Sequence, residues 1–158
     1  MNRWTVHVSD FGKIEYAHIQ LAPLTLFVGD NNSGKSYMMT LIYGVFKINF
    51  LLEEYVFNSE SLTYKECCEI VDKMIDNLLK TNKEITYILK EEELQKFQNL
   101  LNEVLDWNKE KFLLNLFNRK VSIGKLWIEF SQEAKFVFQL KHSWEKERRN
   151  RGKGESFN

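Results

Sequence analysis

Gly29-Asp30-Asn31-Asn32-Ser33-Gly34-Lys35-Ser36 satisfies G-x-x-x-x-G-K-[ST] at every specified position. The apolar, β-prone run Leu24-Thr25-Leu26-Phe27-Val28 leads into it, and Met38, Leu41, Ile42, Val45, Phe46 and Asn49 follow at helical spacing. A buried strand, a glycine-bounded loop and a helix reaching about Val56 are expected in succession. The residue types suit phosphate. Glycines at 29 and 34 permit torsions and a close approach that a side chain blocks, so successive N–H groups face one concavity. The helix start adds the positive end of its dipole to the same place. Lys35 is the candidate contact for β- and γ-phosphates, and the Ser36 hydroxyl for Mg²⁺. Gly29, Asn31, Asn32, Ser33, Gly34, Lys35, Ser36 and Tyr37 form the candidate nucleotide-binding set. Ser36 is its one candidate metal ligand, and no catalytic residue is identified. Asp30, Asn31 and Asn32 also suit a purely structural role, bracing the turn through side-chain to backbone hydrogen bonds.

On the N-terminal side, Trp4-Thr5-Val6-His7-Val8 alternates, as do Ile14, Tyr16, His18 and Gln20 against Glu15, Ala17, Ile19 and Leu21. Two strands joined by a turn at Asp10 to Gly12 are expected, the second ended by Pro23. On the C-terminal side, Asn58-Ser59-Glu60-Ser61 is a polar break, and Thr63-Tyr64-Lys65-Glu66 has capping-box spacing. One helical stripe holds Cys67, Ile70, Val71, Met74, Ile75, Leu78 and Leu79. Another holds Leu94, Phe97, Leu100, Leu101, Val104 and Leu105, and the two are expected to pack as a pair. Lys111 to Phe117 suits a short further helix. Lys125 to Phe130 and Lys135 to Leu140, with a polar turn at Ser131 to Glu133, suit a second hairpin.

The 158 residues are enough for one compact domain or one lobe of a larger one, and a hydrophobic fraction of 44% indicates a folded chain. Lys plus Arg and Asp plus Glu each number 22, so no global field gathers nucleic acid or acidic lipid. The basic stretch Lys146 to Gly154 reads as a solvated, flexible tail. Cys67 and Cys68 are adjacent and suit a reduced cytoplasmic setting, while His7, His18 and His142 are scattered in sequence and offer no metal pair. No apolar run approaches the roughly 20 residues of a membrane span.

Asp10-Phe11-Gly12-Lys13-Ile14 and then Ala17-x-Ile19-x-Leu21-x-Pro23-Leu24-Thr25-Leu26-Phe27-Val28, continuing through Ser36, resemble the opening of ABC-type AAA ATPases of the RecF, SMC and OLD kind. The specific match covers roughly residues 8 to 46. The later segments resemble, more loosely, the insertion that follows the first helix in bacterial ATPases of this group, many of them phage-defence proteins. The resemblance implies ATP and Mg²⁺ as cofactors and ATP-driven dimerisation, with a homodimer, a complementing ATPase half or an effector protein as partner, and DNA as a further possibility. Two family elements are missing: an apolar strand ending in Asp-Glu and a Ser-Gly signature apart from Ser33-Gly34. Asp10, Asp30, Asp72, Asp76 and Asp106 are the only aspartates, and none precedes Glu. Gln139 stands at a strand end, where the family places a Mg²⁺-sensing glutamine, but suits an ordinary strand residue better.

The expected fold is α/β, the N-terminal lobe of a P-loop NTPase of ABC-ATPase type with an inserted helical segment and a β-hairpin, incomplete as it stands. The expected organisation is a nucleotide-binding lobe over 1–57, a helical insertion over 58–120, a β-hairpin over 121–142 and a basic tail over 143–158. Two functions fit: the ATP-binding lobe of an ATPase whose hydrolysis needs the missing elements, or a non-hydrolysing ATP-sensing module that signals to a partner. A small-molecule kinase fits less well, because such enzymes usually begin with the loop's own strand. No guanine-reading motif is present.

Overall fold

The computed structural model describes residues 4–47, 59–81, 84–131 and 137–140. Strand β1 (Trp4–Phe11) is central in a three-stranded antiparallel sheet of order β2-β1-β4, with β2 at Ile14–Gln20 and β4 at Lys125–Phe130. The expected first hairpin is present, with Thr5 opposite Gln20 and Phe11 opposite Ile14. Gly12 takes φ 62 at the first of its two turn positions, a torsion that favours glycine. Alternation decides the two faces. Val6, Val8 and Ile128 are fully buried on one. On the other, His7 sits opposite both His18 and Trp127. These two histidines, far apart in sequence, thus meet at 4.5 Å between ring centroids.

His7 is a satisfied buried polar group. Its Nε2 donates to Glu129 at 3.0 Å, its Nδ1 shares a hydrogen bond with the Tyr16 hydroxyl at 3.3 Å, and its ring stacks on Trp127 at 4.5 Å.

Helix α1 (Lys35–Phe46) lies against the core face of the sheet through Met38, Leu41, Ile42 and Val45. It ends at Lys47, so the rest of the expected run to Val56 lies outside the described residues. Helix α2 (Leu62–Thr81) starts earlier than the capping-box spacing indicated. Ser61, not Thr63, is the cap, its Oγ accepting from Tyr64 N at 3.4 Å. The stripe at 94–105 and the segment 111–117 are one 27-residue helix, α3 (Glu91–Phe117), since nothing between them breaks helical propensity. Its start is held by Glu93, whose carboxylate accepts from Lys90 N at 2.9 Å and from the Tyr87 hydroxyl at 2.7 Å. The expected α2–α3 pairing is present, with Lys96 bridging to Glu66 at 3.4 Å.

Two strand expectations are corrected. Lys125–Phe130 and Val137–Leu140 do not pair with each other: β4 joins β1, and β5 (Val137–Leu140) joins β3 (Ile85–Ile88), a strand unforeseen in the helical region. Alternation specifies which side of a strand is apolar, not which strand it meets. The run Leu24 to Val28 forms no strand: no described strand pairs with it, and Leu24, Leu26 and Val28 are 80–86% exposed. Only Phe27 in this run packs against the main core.

The outer edge of β4 is sealed by α3. The Asn102 amide donates to Ile128 O at 2.8 Å and accepts from Ile128 N at 2.7 Å, as a neighbouring strand would. Gln98, one turn earlier, accepts from Phe130 N at 2.6 Å. Side-chain amides thus satisfy an edge that would otherwise recruit another strand.

A main core joins the sheet to α1 and the C-terminal half of α3, while Ile70, Met74, Leu89 and Leu94 form a second with Tyr87, Phe97 and Phe138. At the α1–α3 contact Gly44 allows close approach, since a Cβ there would stand 2.6 Å from Leu116. Phe112, fully buried, also comes within 3.0 Å of that position. Phe112→Ala is expected to lower unfolding stability by about 3–5 kcal/mol, as truncated core aromatics do. Denaturant titration checks it, and a loss below 1 kcal/mol, in order-of-magnitude terms, would mean that the site collapses freely.

Candidate functional site

The loop Gly29–Ser36 runs from the exposed segment above to the first turn of α1. Ser33 N donates to Asp30 O at 3.3 Å, closing a turn, and Asn32 takes φ 67. Asparagine tolerates this left-handed torsion better than most residues. Gly34 follows at φ 91, ψ 2 as the helix N-cap, its carbonyl accepting from Met38 N at 3.0 Å. Glycine offers no capping side chain, and the first turn carries no acidic residue. The leading amides of a helix have no intrahelical partner, so those of α1 are available to an anion with no carboxylate from its own first turn competing.

Lys35 folds back over the loop. Its Nζ donates to Gly29 O at 2.6 Å, to Asp30 O, and to Ser33 Oγ at 3.2 Å. The ammonium charge is thereby held at the loop by the loop's own carbonyls. The next residue, Ser36, is exposed at the helix start. A carbonyl-anchored cation, free helix amides and a hydroxyl form a donor set that fits a polyphosphate with a hard divalent cation.

Tyr37 packs against the hairpin tip and the end of α3. Its ring stacks on Phe117 at 5.2 Å and meets Phe11 edge-on at 5.8 Å, with the Arg119 guanidinium carbon 5.2 Å from its centroid. A cavity of about 220 Å³ lies beside it, lined by Phe11, Gly12, Lys13, Asn32, Gly34 and Tyr37. The hairpin tip and the Gly29–Ser36 loop thus share one hollow. Ile14 touches the loop as well, within 3.0 Å of where a Gly34 Cβ would stand.

Of the candidate set, Gly29, Ser33 and Lys35 are joined by hydrogen bonds, Asn32, Gly34 and Tyr37 line the hollow, and Asn31 and Ser36 are exposed. Sequence reasoning missed Phe117 and Arg119, which approach from the far end of α3 with no local signal. Phe11 had one, its place in the turn preceding the loop. Gln139 is exposed and faces Thr86 in the β3–β5 ladder, as an ordinary strand residue does.

Other reactive groups serve the fold. Burial, then the neighbouring Cys68, pushes the Cys67 thiol up to about 11, so it stays protonated and unreactive near neutral pH. Among the described residues no three His, Cys, Asp or Glu side chains are grouped to hold a metal, and no helix is long and apolar enough to cross a membrane. A larger cavity, about 610 Å³, lies along α3 and residues 120–123 and shares no lining residue with the loop.

A family model described as AAA ATPase domain matches residues 4–153, nearly the whole chain. No curated protein and no solved structure matches it significantly.

Proposed function

Because the chain belongs to the AAA ATPase domain family, we propose that it binds ATP with Mg²⁺ through Gly29–Ser36, as the nucleotide-binding lobe of an ATPase of the RecF, SMC and OLD kind. The observation that carries this reading is the Lys35 ammonium, held inside the loop by the Gly29 and Asp30 carbonyls at the start of a helix without an acidic first turn. Lys35 then serves the β- and γ-phosphates and the amides of α1 the phosphate oxygens. Ser36 is the residue that would hold Mg²⁺, which when bound offsets phosphate charge. The hollow beside Gly34 has room for the nucleoside end, against Phe11 and Tyr37.

Hydrolysis requires a carboxylate beside the γ-phosphate, and no Asp-Glu pair occurs in these 158 residues. We assign that group to a complementing ATPase segment or a partner chain of different sequence. Exposed apolar surface supports such a contact: Leu24, Leu26 and Val28 ahead of the loop, and Met39, Tyr43 and Phe46 on α1. The absent pair also favours a second reading, an ATP-sensing module that signals without hydrolysing. Phage defence, effector contacts and DNA rest on the resemblance alone.

Calorimetric titration with Mg-ATP tests the reading. Lys35→Ala is expected to weaken binding by about 1.5–3 kcal/mol, the range for a charge-assisted contact. Equal affinity in mutant and wild type would remove Lys35 from the site.

A further inference from the structure

The ring that follows the two key phosphate-loop residues is tied to another helix. Tyr37 adjoins Ser36, yet its neighbours are Phe117, the last residue of α3, and Arg119, just past the helix cap. That cap, Asn118, takes φ 54 and donates its N–H to Leu114 O at 2.9 Å, turning the chain so that Arg119 lies over the Tyr37 ring. Farther along α1, Gly44 sits close against Leu116 and Phe112. The C-terminal turns of α3 thus follow α1 from Tyr37 to Gly44.

The opposite end of α3 lies in the second core. Leu94 and Phe97 pack there with Ile70 and Met74 of α2, and with Tyr87, Phe138 and Leu140 of the β3–β5 sheet. One continuous helix, about 40 Å long at 1.5 Å per residue, therefore runs from the phosphate loop to that unit.

We propose that Arg119, stacked on Tyr37 above the first turn of α1, is a positioning residue that couples nucleotide occupancy of the phosphate loop to α3 and the α2–β3–β5 unit. This rests on the nucleotide reading above and goes beyond it by naming the responding element. A phosphate in the loop draws Lys35 from the Gly29 and Asp30 carbonyls and pulls the amides of residues 35–37 toward itself. The Tyr37 ring moves with that backbone, and close-packed Phe117 and Arg119 must follow or separate. Arg119 is also a cation near an arriving polyanion, so its stack on the ring has a different energy in the two states. That differential interaction is what a ligand-driven change requires.

The test is hydrogen exchange of the full chain by mass spectrometry, with and without Mg-ATP, for wild type, Arg119→Ala, Arg119→Lys and Lys35→Ala. In wild type, Mg-ATP is expected to slow exchange over 29–47 and over 91–117. Arg119→Ala should bind Mg-ATP within about two- to fivefold of wild type, the worth of an exposed cation–π contact. It should keep the slowing over 29–47 and lose the nucleotide-dependent change over 91–117. Arg119→Lys should restore only part of that change, since an ammonium keeps the charge without the planar stack. A merely structural Arg119 would raise exchange over 91–117 equally with and without nucleotide, leaving the difference intact. That result overturns the proposal, as does wild-type protection confined to 29–47. Absence of Mg-ATP binding in folded wild type overturns the nucleotide reading itself, and this coupling with it. Lys35→Ala, at nucleotide levels too low to fill it, should show neither change; changes persisting there would not come from the loop and would also overturn the proposal.

Discussion

Gly34→Val is expected to abolish measurable Mg-ATP binding while the chain stays folded. Two independent obstacles meet at this position. Gly34 takes φ 91, where an L-residue costs about 1–2 kcal/mol and a β-branched one is a marked outlier. A Cβ would also stand 3.0 Å from Ile14 Cδ1 and 3.1 Å from Ile14 Cγ1, and such overpacking costs about 1–3 kcal/mol more. Relieving the torsion rotates the peptide before Lys35, and relieving the contact shifts Ile14 or parts the loop from the hairpin. The peptide rotation displaces the first amides of α1 and the Lys35 ammonium together. The effect on affinity should therefore exceed that of Lys35→Ala, which removes one contact and leaves the backbone concavity intact. Most of the core lies away from this turn, in Val6, Val8, Leu41, Val45, Leu105 and Phe112, so a cooperative melt should persist at lower temperature. Calorimetric titration beside a thermal melt checks both halves. Binding within about threefold of wild type, under 1 kcal/mol, would show that the left-handed glycine is not what shapes the site.

Phosphate release from the purified chain with Mg-ATP is expected to stay at the level of its Lys35→Ala control. Lys35 and Mg²⁺ can offset charge on the phosphates, but the attacking water must also be oriented by a base, a contribution of about 10²–10⁴-fold. Several of the described carboxylates are engaged elsewhere. Glu129 pairs with His7, Glu66 with Lys96, Asp106 with Lys109, and Glu93 holds Tyr87. Asp72 and Asp76 are exposed on α2. Asp30 does lie in the loop, where its carbonyl accepts from Lys35. The chain should accordingly bind without turning over, and activity should appear when an Asp-Glu-bearing segment or partner is supplied. Multiple turnover that disappears in Lys35→Ala would sink this reading and point to a carboxylate among these residues, Asp30 foremost.

Local chemistry was legible in the sequence because the residues that express it are neighbours along the chain. The left-handed glycine turn at Gly34, the hairpin turn at Gly12 and the helix from Lys35 each follow from torsional preference or periodicity within a few residues, and the structure has all three. Fold class and the match to an AAA ATPase domain follow from the same signals. Long-range pairing was not legible. The alternation of Lys125–Phe130 is the same whether it meets Val137–Leu140 or Trp4–Phe11, and only the tertiary structure selects β1, with Asn102 and Gln98 closing the other edge. The apolar pattern of Leu24 to Val28 marks surface that favours burial without supplying what buries it, which is why the expected strand stands exposed. Arg119 carries no sequence signal at all: it meets Tyr37 only because α3 runs unbroken to Phe117 and Asn118 turns the chain there. The sequence by itself determined the local backbone of the glycine loop and the residue types it presents. Tertiary structure decided what that loop leans against, because contacts between distant residues depend on the packing of whole elements.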